Sequence, residues 1–430
     1  MSLSWLKRTI ELPHICAIAV LVLLASCTGR PAPNNIGLLP APDIEVGEEI
    51  NLLDEATEKV VAHMTPNGWV HLVAITAKGS AYHVVVSTRG VEHRAKFGGD
   101  RHYGYYHNLA IVDDGQGGLH VAIKDEHWIY NLATWYLAGN NQCSLLARSG
   151  NSLACVVNVS GGELETPAQY GITGFGGFGA GVIIPYRIRP TKLVLGRFSE
   201  GEWSYRAVID SRMPYFVNLE TRDGGVLASD AFGFAHILYR AHSGSSSHVR
   251  YATMSLTGEF APVIEWHRSG GQLLKLADVE SVPVDLPPQW FVPFDGLTFA
   301  VDPLKRKGVF FARDSSYSGF TSWIDGVVEV SAGGFSEPRL LPFSGSKPRE
   351  LAPAGDERFH VLVTLGKKLL YLGYQVNGWS GPVRIGEFGT ASIFRIGSSS
   401  IQLASDGRSQ ALAIWPKRDR SLAGRWVTLK

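Results

Sequence analysis

The chain has 430 residues, of which 45% are hydrophobic and 18% charged, and its formal net charge is +1. This composition is typical of a globular protein. It lacks the basic excess that would neutralise a phosphate backbone, so we expect no nucleic-acid partner.

The N-terminal segment is typical of a bacterial lipoprotein signal. Two basic residues precede an apolar run at residues 15–24, which leads through Leu-Ala-Ser to Cys27. We therefore expect a signal peptide at residues 1–26, lipidation of Cys27 and a membrane contact through that lipid. An uncleaved anchor is the second interpretation, since the run is short for a bilayer span, and an ordinary secretory signal is the third. Thr28 after the cysteine favours the outer membrane of a Gram-negative bacterium.

Residues 27–43 contain four prolines among small polar residues, a composition typical of an extended tether, and residues 44–430 form the predicted body. Within the body, Cys143 and Cys155 lie in a polar insertion. In an oxidising envelope compartment we expect a disulfide between them. A metal site is the weaker interpretation, because two cysteines without a second pair underdetermine one. We find no ligand set strong enough to name a structural ion.

Beyond the tether the sequence repeats. Turn residues lead into an apolar strand at seven anchors: residues 71–74, 120–123, 181–184, 236–239, 308–311, 360–363 and 411–414. Several anchors are followed by a third strand, and some by a fourth that opens near a tryptophan, as at Trp203 and Trp379. The pattern predicts an all-β fold, a seven-bladed β-propeller with four-stranded antiparallel blades. We expect an N-terminal strand near residues 48–53 to close the ring.

Histidine begins four of the anchors, at His71, His120, His236 and His360. A residue that recurs in a repeated scaffold fits a single functional site poorly. We therefore expect these four histidines to pack or hydrogen-bond within their blades.

The first informative hairpin covers residues 107–127, with an acidic and glycine-rich turn in its middle and a histidine at each open end. Antiparallel pairing about this turn predicts that Asp113 faces His120 and that His107 faces His127, about 5 Å apart between Cα atoms. Thirteen residues before the other three histidine anchors stand Glu58, Asp223 and Lys347, so the repeat does not require a histidine at this position. This difference favours a functional role for His107.

The second informative hairpin covers residues 170–187 around a glycine cluster, and its symmetry predicts that Tyr170 faces Arg187. Inner strands of a propeller all run the same way along its axis. His107, His127, Tyr170 and Arg187 are therefore expected to converge on one face from adjacent blades. Histidine and tyrosine exchange protons and arginine holds a carboxylate, so the set suits proton abstraction beside a carboxylate.

These residues resemble the seven-bladed ulvan lyase-like polysaccharide lyases of the BNR-repeat group. The resemblance lies in the His-Asn start of the first hairpin, the second histidine about twenty residues later, the tyrosine, and the arginine that ends an apolar strand. It covers roughly residues 100–255, and the remaining chain resembles generic blades.

The resemblance implies β-elimination within a uronate-containing anionic polysaccharide such as ulvan, with no cofactor required. Arg187 would neutralise the carboxylate. Tyr170 and His107 would share the proton transfers in an order left open, and His127 would orient or help to neutralise. The expected substrate-binding residues are Asn108, Arg189, Tyr239 and Arg240. Tyr186 or Arg189 is an alternative for the roles given to Tyr170 and Arg187.

Basic residues around the hairpins, among them Arg89, Arg94 and Arg101, fit a groove for a polyanion, with a solvated mixed surface as the alternative. Other functions remain open at this point. We expect a monomer in every case, and the first alternative is a lipid-anchored propeller that binds a glycan or an envelope protein without catalysis. A sialidase-like hydrolase is a third interpretation, weakened because the Asp boxes near Asp230 and Asp406 are degenerate.

Overall fold

The computed structural model describes the chain from residue 43 to residue 430, apart from residues 100, 104–108, 124–125, 141–144, 150–151, 161–168, 173–182, 187–190, 200–201, 214–224, 244–245, 256–274, 277–278, 285–289, 292–296, 315–323, 332–333, 344, 376–377 and 389–399. Within this part the regular structure is β-strand, in eight antiparallel sheets. No helix in the described part is long and apolar enough to cross a membrane.

Four of the sheets follow one another from the N-terminal side. Strand β1 (Ile44–Leu53) belongs to the last sheet of the chain. Sheet 1 contains β2 (Thr57–Met64), β3 (Val70–Thr76), β4 (Ala81–Ser87) and β5 (Gly90–Phe97); sheet 2 contains β6 (Leu109–Asp113), β7 (Leu119–Ile123), β8 (Glu126–Asn131) and β9 (Thr134–Asn140). Sheet 3 contains β10 (Leu145–Ser149), β11 (Ser152–Ser160), β14 (Thr191–Ser199) and β15 (Glu202–Met213), and between its second and third strands a separate hairpin contains β12 (Gln169–Ile172) and β13 (Ile183–Tyr186).

The remaining sheets complete the described chain. Sheet 4 contains β16 (Gly225–Ser229), β17 (Phe234–Ser243), β18 (Ser246–Ser255), β19 (Lys275–Leu276) and β20 (Val279–Val284); sheet 5 contains β21 (Trp290–Phe291), β22 (Phe299–Asp302), β23 (Lys307–Asp314), β24 (Ile324–Ser331), β25 (Gly334–Phe335) and β26 (Arg339–Leu340). Sheet 6 contains β27 (Lys347–Gly355), β28 (Arg358–Leu365), β29 (Lys368–Gln375) and β30 (Gly378–Glu387), and sheet 7 contains β31 (Gln402–Ala404), β32 (Gln410–Pro416), β33 (Leu422–Leu429) and β1.

The architecture is an all-β propeller built from antiparallel four-stranded blades. Second strands such as β28 are buried on both faces, which is why they read as nearly continuous apolar runs. Outer strands such as β5 are polar and largely exposed. The hydrophobic core lies between consecutive sheets: Val73 of sheet 1 packs with Val121 of sheet 2 in one cluster.

Strand β1 is the outer strand of sheet 7, where it pairs with β33 near the end of the chain. Ile44 faces Leu429, and Asn51 faces Ala423. Leu52 of β1 is fully buried in a cluster that contains Val60 of sheet 1 and Leu412 of sheet 7. The N-terminal strand is therefore packed together with the last strands of the chain and with sheet 1.

Six of the seven predicted anchors lie on the second strand of a sheet, on β3, β7, β17, β23, β28 and β32. Trp203 and Trp379 are the second residues of the fourth strands β15 and β30, which confirms the prediction that these strands open near a tryptophan. The anchor at residues 181–184 is wrong. Its described residues lie on β13, whose only partner in the described part is β12, whereas the second strand of sheet 3 is β11.

Candidate functional site

The two faces of the propeller follow from the strand order. Because neighbouring strands are antiparallel, connections from first to second and from third to fourth strands lie on one face, here called the turn face. Its described first-to-second turns are residues 65–69, 114–118, 230–233, 303–306, 356–357 and 405–409. Connections from second to third strands, and from one sheet to the next, lie on the opposite face, here called the open face.

Several predicted site residues lie outside the described part: His107, Asn108, Arg187 and Arg189, together with Cys27 and Cys143. The strands that flank them are described. His107 and Asn108 directly precede β6, and Arg187 and Arg189 lie between β13 and β14. The strands β6 and β14, which follow these residues, both begin at the open face.

The register of the first hairpin differs from the prediction. Leu109 faces Ile123, and Asp113 faces Leu119 rather than His120. Strand β7 ends at Ile123, and His127 lies on β8, where it faces Ala122. The prediction that His127 ends the same hairpin across from His107 is therefore wrong.

The register of the second hairpin is also displaced. Tyr170 faces Pro185, and Gln169 faces Tyr186. The predicted pairing of Tyr170 with Arg187 is wrong by two residues, because the turn is not centred on the midpoint of the glycine cluster. The hairpin itself is present, and it is an addition between the second and third strands of sheet 3.

The four anchor histidines share one hydrogen-bond arrangement, which confirms their expected structural role. In each case Nδ1 lies within hydrogen-bond distance of a side chain on the third strand: His71 with His83 Nε2 (3.1 Å), His120 with His127 Nε2 (2.9 Å), His236 with the Tyr251 hydroxyl (2.7 Å) and His360 with the Tyr371 hydroxyl (2.6 Å). The partner always faces the residue two positions after the histidine. His127 therefore occupies a scaffold position that other blades fill with His83 or tyrosine.

The environment of His127 fits that structural position. It is 2% exposed. Burial, with a smaller contribution from His120, lowers the pKa of His127 to about 4. At neutral pH its imidazole is therefore uncharged, and one ring nitrogen is engaged by His120. Such a residue acts on an open-face ligand only through its neighbours.

Two further predicted residues lie on β17. The side chain of Tyr239 is fully buried, so it presents no surface to a ligand in this structure. Arg240 follows it on the same strand, and its backbone faces Val249 of β18. Tyr239 therefore packs in the core of its blade.

A charged cluster that the sequence did not reveal joins the first strands of sheets 1, 2 and 3. Asp113, at the end of β6, accepts hydrogen bonds from His63 of β2 at 2.5 Å and from Arg148 of β10. Burial acts to raise the pKa of Asp113, but the hydrogen bond and charge of His63 and the charge of Arg148 outweigh it and lower that pKa to about 2. The carboxylate therefore links three blades at the turn face.

Two glycines shape the turn that follows Asp113. Gly115 (φ 74°) and Gly117 (φ 100°) adopt left-handed conformations that other residues rarely enter. Oδ1 of Asp114 accepts the backbone N–H groups of Gln116 and Gly118, at 2.7 and 2.8 Å. The acidic and glycine-rich segment therefore has a structural role, since it forms the turn between β6 and β7.

A second polar cluster joins the connection before residue 104 to the start of β8. Glu126 accepts hydrogen bonds from Arg101 Nε (2.8 Å), the Tyr103 hydroxyl (2.9 Å) and Trp128 Nε1 (2.8 Å). Arg101 also lies over the Trp128 ring, 5.2 Å from its centroid. Among the basic residues predicted to line a groove, Arg101 is thus paired with a carboxylate.

Arg89 and Arg94 are paired as well. Arg89 contacts Glu92 at 3.2 Å, and Arg94 contacts Asp54 at 3.4 Å. Arg94 lies on the outer strand β5, away from the axis. These described residues give the mixed charged surface that was the alternative to a basic groove.

Cys155 lies on β11, is fully buried and is disulfide-bonded. Its predicted location in a polar insertion is wrong, because it packs with Val112 and Leu153 between sheets 2 and 3. The pairing with Cys143 stays a prediction. In the described part of the chain, no group of three or more His, Cys, Asp or Glu side chains is arranged to hold a metal ion.

No protein-family model and no curated protein matches the chain. Solved propeller structures match over most of its length. An ulvan lyase, from a new family of polysaccharide lyase and bound to a GlcA(1-4)Rha3S fragment, is 8% identical over 88% of this chain and 95% of its own, with a TM-score of 0.49. Virginiamycin B lyase from Staphylococcus aureus is 9% identical over 90% and 100%, with a TM-score of 0.43.

Neighbours of other kinds match to a similar degree. A lectin from Aleuria aurantia in complex with a fucosylated sugar is 10% identical over 78% of this chain and 97% of its own, with a TM-score of 0.39. At such identities and TM-scores these matches assign no family to the chain. The neighbours include lyases, lectins and peptidases, so they assign no activity.

Proposed function

We propose that the protein is a polysaccharide lyase that cleaves a uronate-containing anionic polysaccharide, ulvan-like in chemistry, by β-elimination. A base removes the proton on C5 of the uronate, and the electron pair of that C–H bond forms the C4=C5 double bond. The C4–O4 bond breaks, and O4 takes a proton from an acid. No water is consumed.

The observation that carries the proposal is the placement of two segments on one face. His107 and Asn108 precede the first strand of sheet 2, and the hairpin with Tyr170 is inserted between β11 and β14 of sheet 3. Ser160 at the end of β11 faces Thr191 at the start of β14, so both ends of the insertion meet the open face. This order of elements supports the proposal that neighbouring blades bring His107 and Tyr170 to the same face.

The roles follow from the chemistry of these side chains. In the proposal His107 and Tyr170 serve as base and acid, and Arg187 neutralises the uronate carboxylate, which stabilises the enolate-like charge as it develops. Asn108 and Arg189 bind neighbouring sugar groups. His127 supports the site from the scaffold through its hydrogen bond with His120.

The proposal is tested by incubating the protein with ulvan and other uronate polymers and following the ultraviolet absorbance of the unsaturated product. We expect absorbance from the unsubstituted chain and its loss in His107→Ala and Tyr170→Phe. His93→Ala is the matched control, because His93 is exposed on the outer strand β5 and its loss should leave the rate unchanged.

A propeller that binds a glycan or an envelope protein without catalysis is the second candidate. The pairing of Arg89, Arg94 and Arg101 with carboxylates favours it, because these cations are already neutralised. An absence of product with every polymer, together with unchanged glycan binding in the His107 and Tyr170 variants, would establish this candidate over the lyase.

We further infer that the ring has seven blades and is closed by β1. Support comes from the packing of Leu52 with both Val60 and Leu412, and from turn contacts that pass from one sheet to the next. In the last of these, Arg408 of sheet 7 donates a hydrogen bond to the carbonyl of Pro66 in sheet 1. Limited proteolysis of the intact chain, with the fragment masses compared with the mass expected for one blade, would test the number of blades.

The N-terminal signal supports a further proposal on location. We propose a monomer that is held by a lipid on Cys27 at the outer membrane of a Gram-negative bacterium, with residues 1–26 removed. Labelling with a radioactive fatty acid would report the lipid. Cys27→Ser should abolish the label.

A further inference from the structure

Five large exposed hydrophobic side chains of the described part lie in connections of the turn face. Nine large ones are exposed in the described part of the chain: Trp69, Leu132, Tyr136, Leu137, Phe232, Leu304, Phe335, Leu340 and Leu365. Trp69, Phe232 and Leu304 lie in first-to-second turns of sheets 1, 4 and 5. Leu132 and Phe335 lie at third-to-fourth connections, whereas Leu365 ends a second strand at the open face.

Contacts between the turns show that they share one side of the propeller. Ala231 N–H donates to the Pro303 carbonyl at 2.9 Å, which links sheets 4 and 5. The Ser405 hydroxyl donates to the Pro353 carbonyl at 2.7 Å, which links sheets 6 and 7. The turns with Phe232 and Leu304 are therefore adjacent, and their apolar tips project from one surface.

Leu132, at the tip of the β8–β9 hairpin of sheet 2, has a left-handed backbone conformation that is unfavourable for leucine. Leu132 (φ 48°) and Ala133 (φ 62°) are the two central residues of the turn between Asn131 and Thr134, where asparagine and glycine are favoured. Leu132 is 92% exposed. Backbone strain that holds an apolar side chain in water is a feature of sites with a function.

The N-terminal segment leaves the propeller on this same face. The Lys430 N–H donates to the Asp43 carbonyl at 2.8 Å, and Arg358 of the sheet 6 turn donates to the Lys430 carbonyl at 3.0 Å. The preceding chain carries the apolar run at residues 15–24 and Cys27. The sixteen residues 28–43 reach at most about 50 Å as an extended, proline-containing tether. A lipid at Cys27 would therefore hold the turn face within a short distance of a bilayer.

We propose that the turn face rests on a lipid bilayer, with Leu132, Phe232 and Leu304 entering its interfacial layer. Leucine and aromatic side chains at the turn tips of sheets 2, 4 and 5, with Phe232 next to Leu304 and Leu132 in a separate sheet, suit the headgroup region. A protein partner instead favours a contiguous apolar centre. Lys305, exposed beside Leu304, adds a positive charge suited to anionic lipids. This docking is independent of the proposed lyase activity and uses the proposed N-terminal anchor.

The test places a fluorescent probe on each face of the full chain. Leu132→Cys and Leu365→Cys are labelled with nitrobenzoxadiazole and reconstituted on vesicles of phosphatidylethanolamine and phosphatidylglycerol that contain spin-labelled lipid. Labelled chain without a substitution supplies the background from native cysteines. Leu365 is the matched control, because it is exposed on the open face. We expect several-fold stronger quenching and a blue shift for the probe at position 132.

Equal quenching of the two probes on vesicles to which the chain binds would overturn the docked face. Failure of the chain to float with the vesicles would also overturn the docked face, because the proposed lipid anchor would then not hold the chain at the bilayer. Protection of the probe at position 132 in cell envelopes, but not on pure lipid vesicles, would assign the face to a protein partner and refute the bilayer. Lyase activity measured on the same samples is read separately, since Leu132 lies at the turn face and Leu365 lies in sheet 6, away from the sheets 2 and 3 that flank His107 and Tyr170.

Discussion

Replacing His127 with tyrosine separates a scaffold role from a catalytic one. Tyr251 and Tyr371 occupy the corresponding position in sheets 4 and 6, where each hydroxyl is hydrogen-bonded to Nδ1 of the anchor histidine. The variant should therefore restore a partner for His120. His127→Ala, in contrast, removes that partner, and a buried polar group left without one costs about 1 to 3 kcal/mol.

The magnitude of the pH effect follows from the pKa of His127. Burial lowers it from 6.5 to about 4. The contribution of a neutral buried histidine is fully present above the unfolded-state pKa and is lost as the pH falls towards the folded-state pKa. Acidification from about pH 7 to about pH 5 protonates this group in the unfolded chain alone, which costs about 2 kcal/mol of stability.

Urea unfolding followed by tryptophan fluorescence measures the free energy of unfolding at both pH values. We expect His127→Tyr to be less acid-sensitive than the unsubstituted chain by about 2 kcal/mol, and to retain any lyase activity. An acid sensitivity equal to that of the unsubstituted chain would refute the assigned pKa. Loss of lyase activity in a stably folded His127→Tyr protein would refute the scaffold role.

Three further predictions concern stability. Asp113→Asn should cost about 2 kcal/mol near neutral pH, because the pKa of this buried carboxyl is lowered from 3.8 to about 2; the loss should shrink as the pH falls from about 4 towards 2 in urea titrations, and a constant difference would contradict it. Leu132→Asn combined with Ala133→Gly should raise the free energy of unfolding by about 1 kcal/mol, by relieving left-handed strain; no gain would show that the turn is unstrained. Deletion of residues 44–53 should lower the calorimetric midpoint and broaden the transition, because Leu52 and Leu53 leave the core; an unchanged midpoint would show that β1 contributes nothing to stability.

The repeat was readable from the sequence because second strands are buried on both faces and therefore contain short apolar runs between turns. The anchor of sheet 3 was misplaced for a physical reason. Residues 153–156 form an apolar run on β11, but the neighbouring polar residues around Cys143 favoured an insertion there. The segment inserted into sheet 3 is instead the β12–β13 hairpin, whose isoleucines give it the apolar pattern of a blade strand.

Strand register was less predictable than strand position. Midpoint symmetry placed His120 opposite Asp113, whereas the structure places it opposite Val112. A slip of one residue moves a side chain to the other face of a sheet, so it decides which residues meet. The turn at residues 114–118 sets the register through the Asp114 N–H bond to the Gly118 carbonyl at 2.9 Å, a detail that the midpoint of the hairpin does not contain.

The partners of the anchor histidines were hidden for another reason. His120 lies seven residues before its partner and His236 fifteen before its own, because β7 continues three residues beyond His120 whereas β17 continues seven beyond His236. What is constant is the register: the partner on the third strand always faces the residue two positions after the histidine. Residue spacing along the chain does not reveal such a rule, and for this reason His127 resembled a site residue.

Membrane docking at the turn face and polymer binding at the open face require the same orientation of the propeller. If the turn face lies on a bilayer, the open face points away from the lipid, because the two are opposite sides of one disc of strands. A long polymer cannot approach a site pressed against a membrane, but it can reach His107 and the β12–β13 hairpin on the outward side. The strained leucine at the hairpin tip and the proposed proton-transfer residues therefore favour the same orientation, although each is tested by an experiment that leaves the other unchanged.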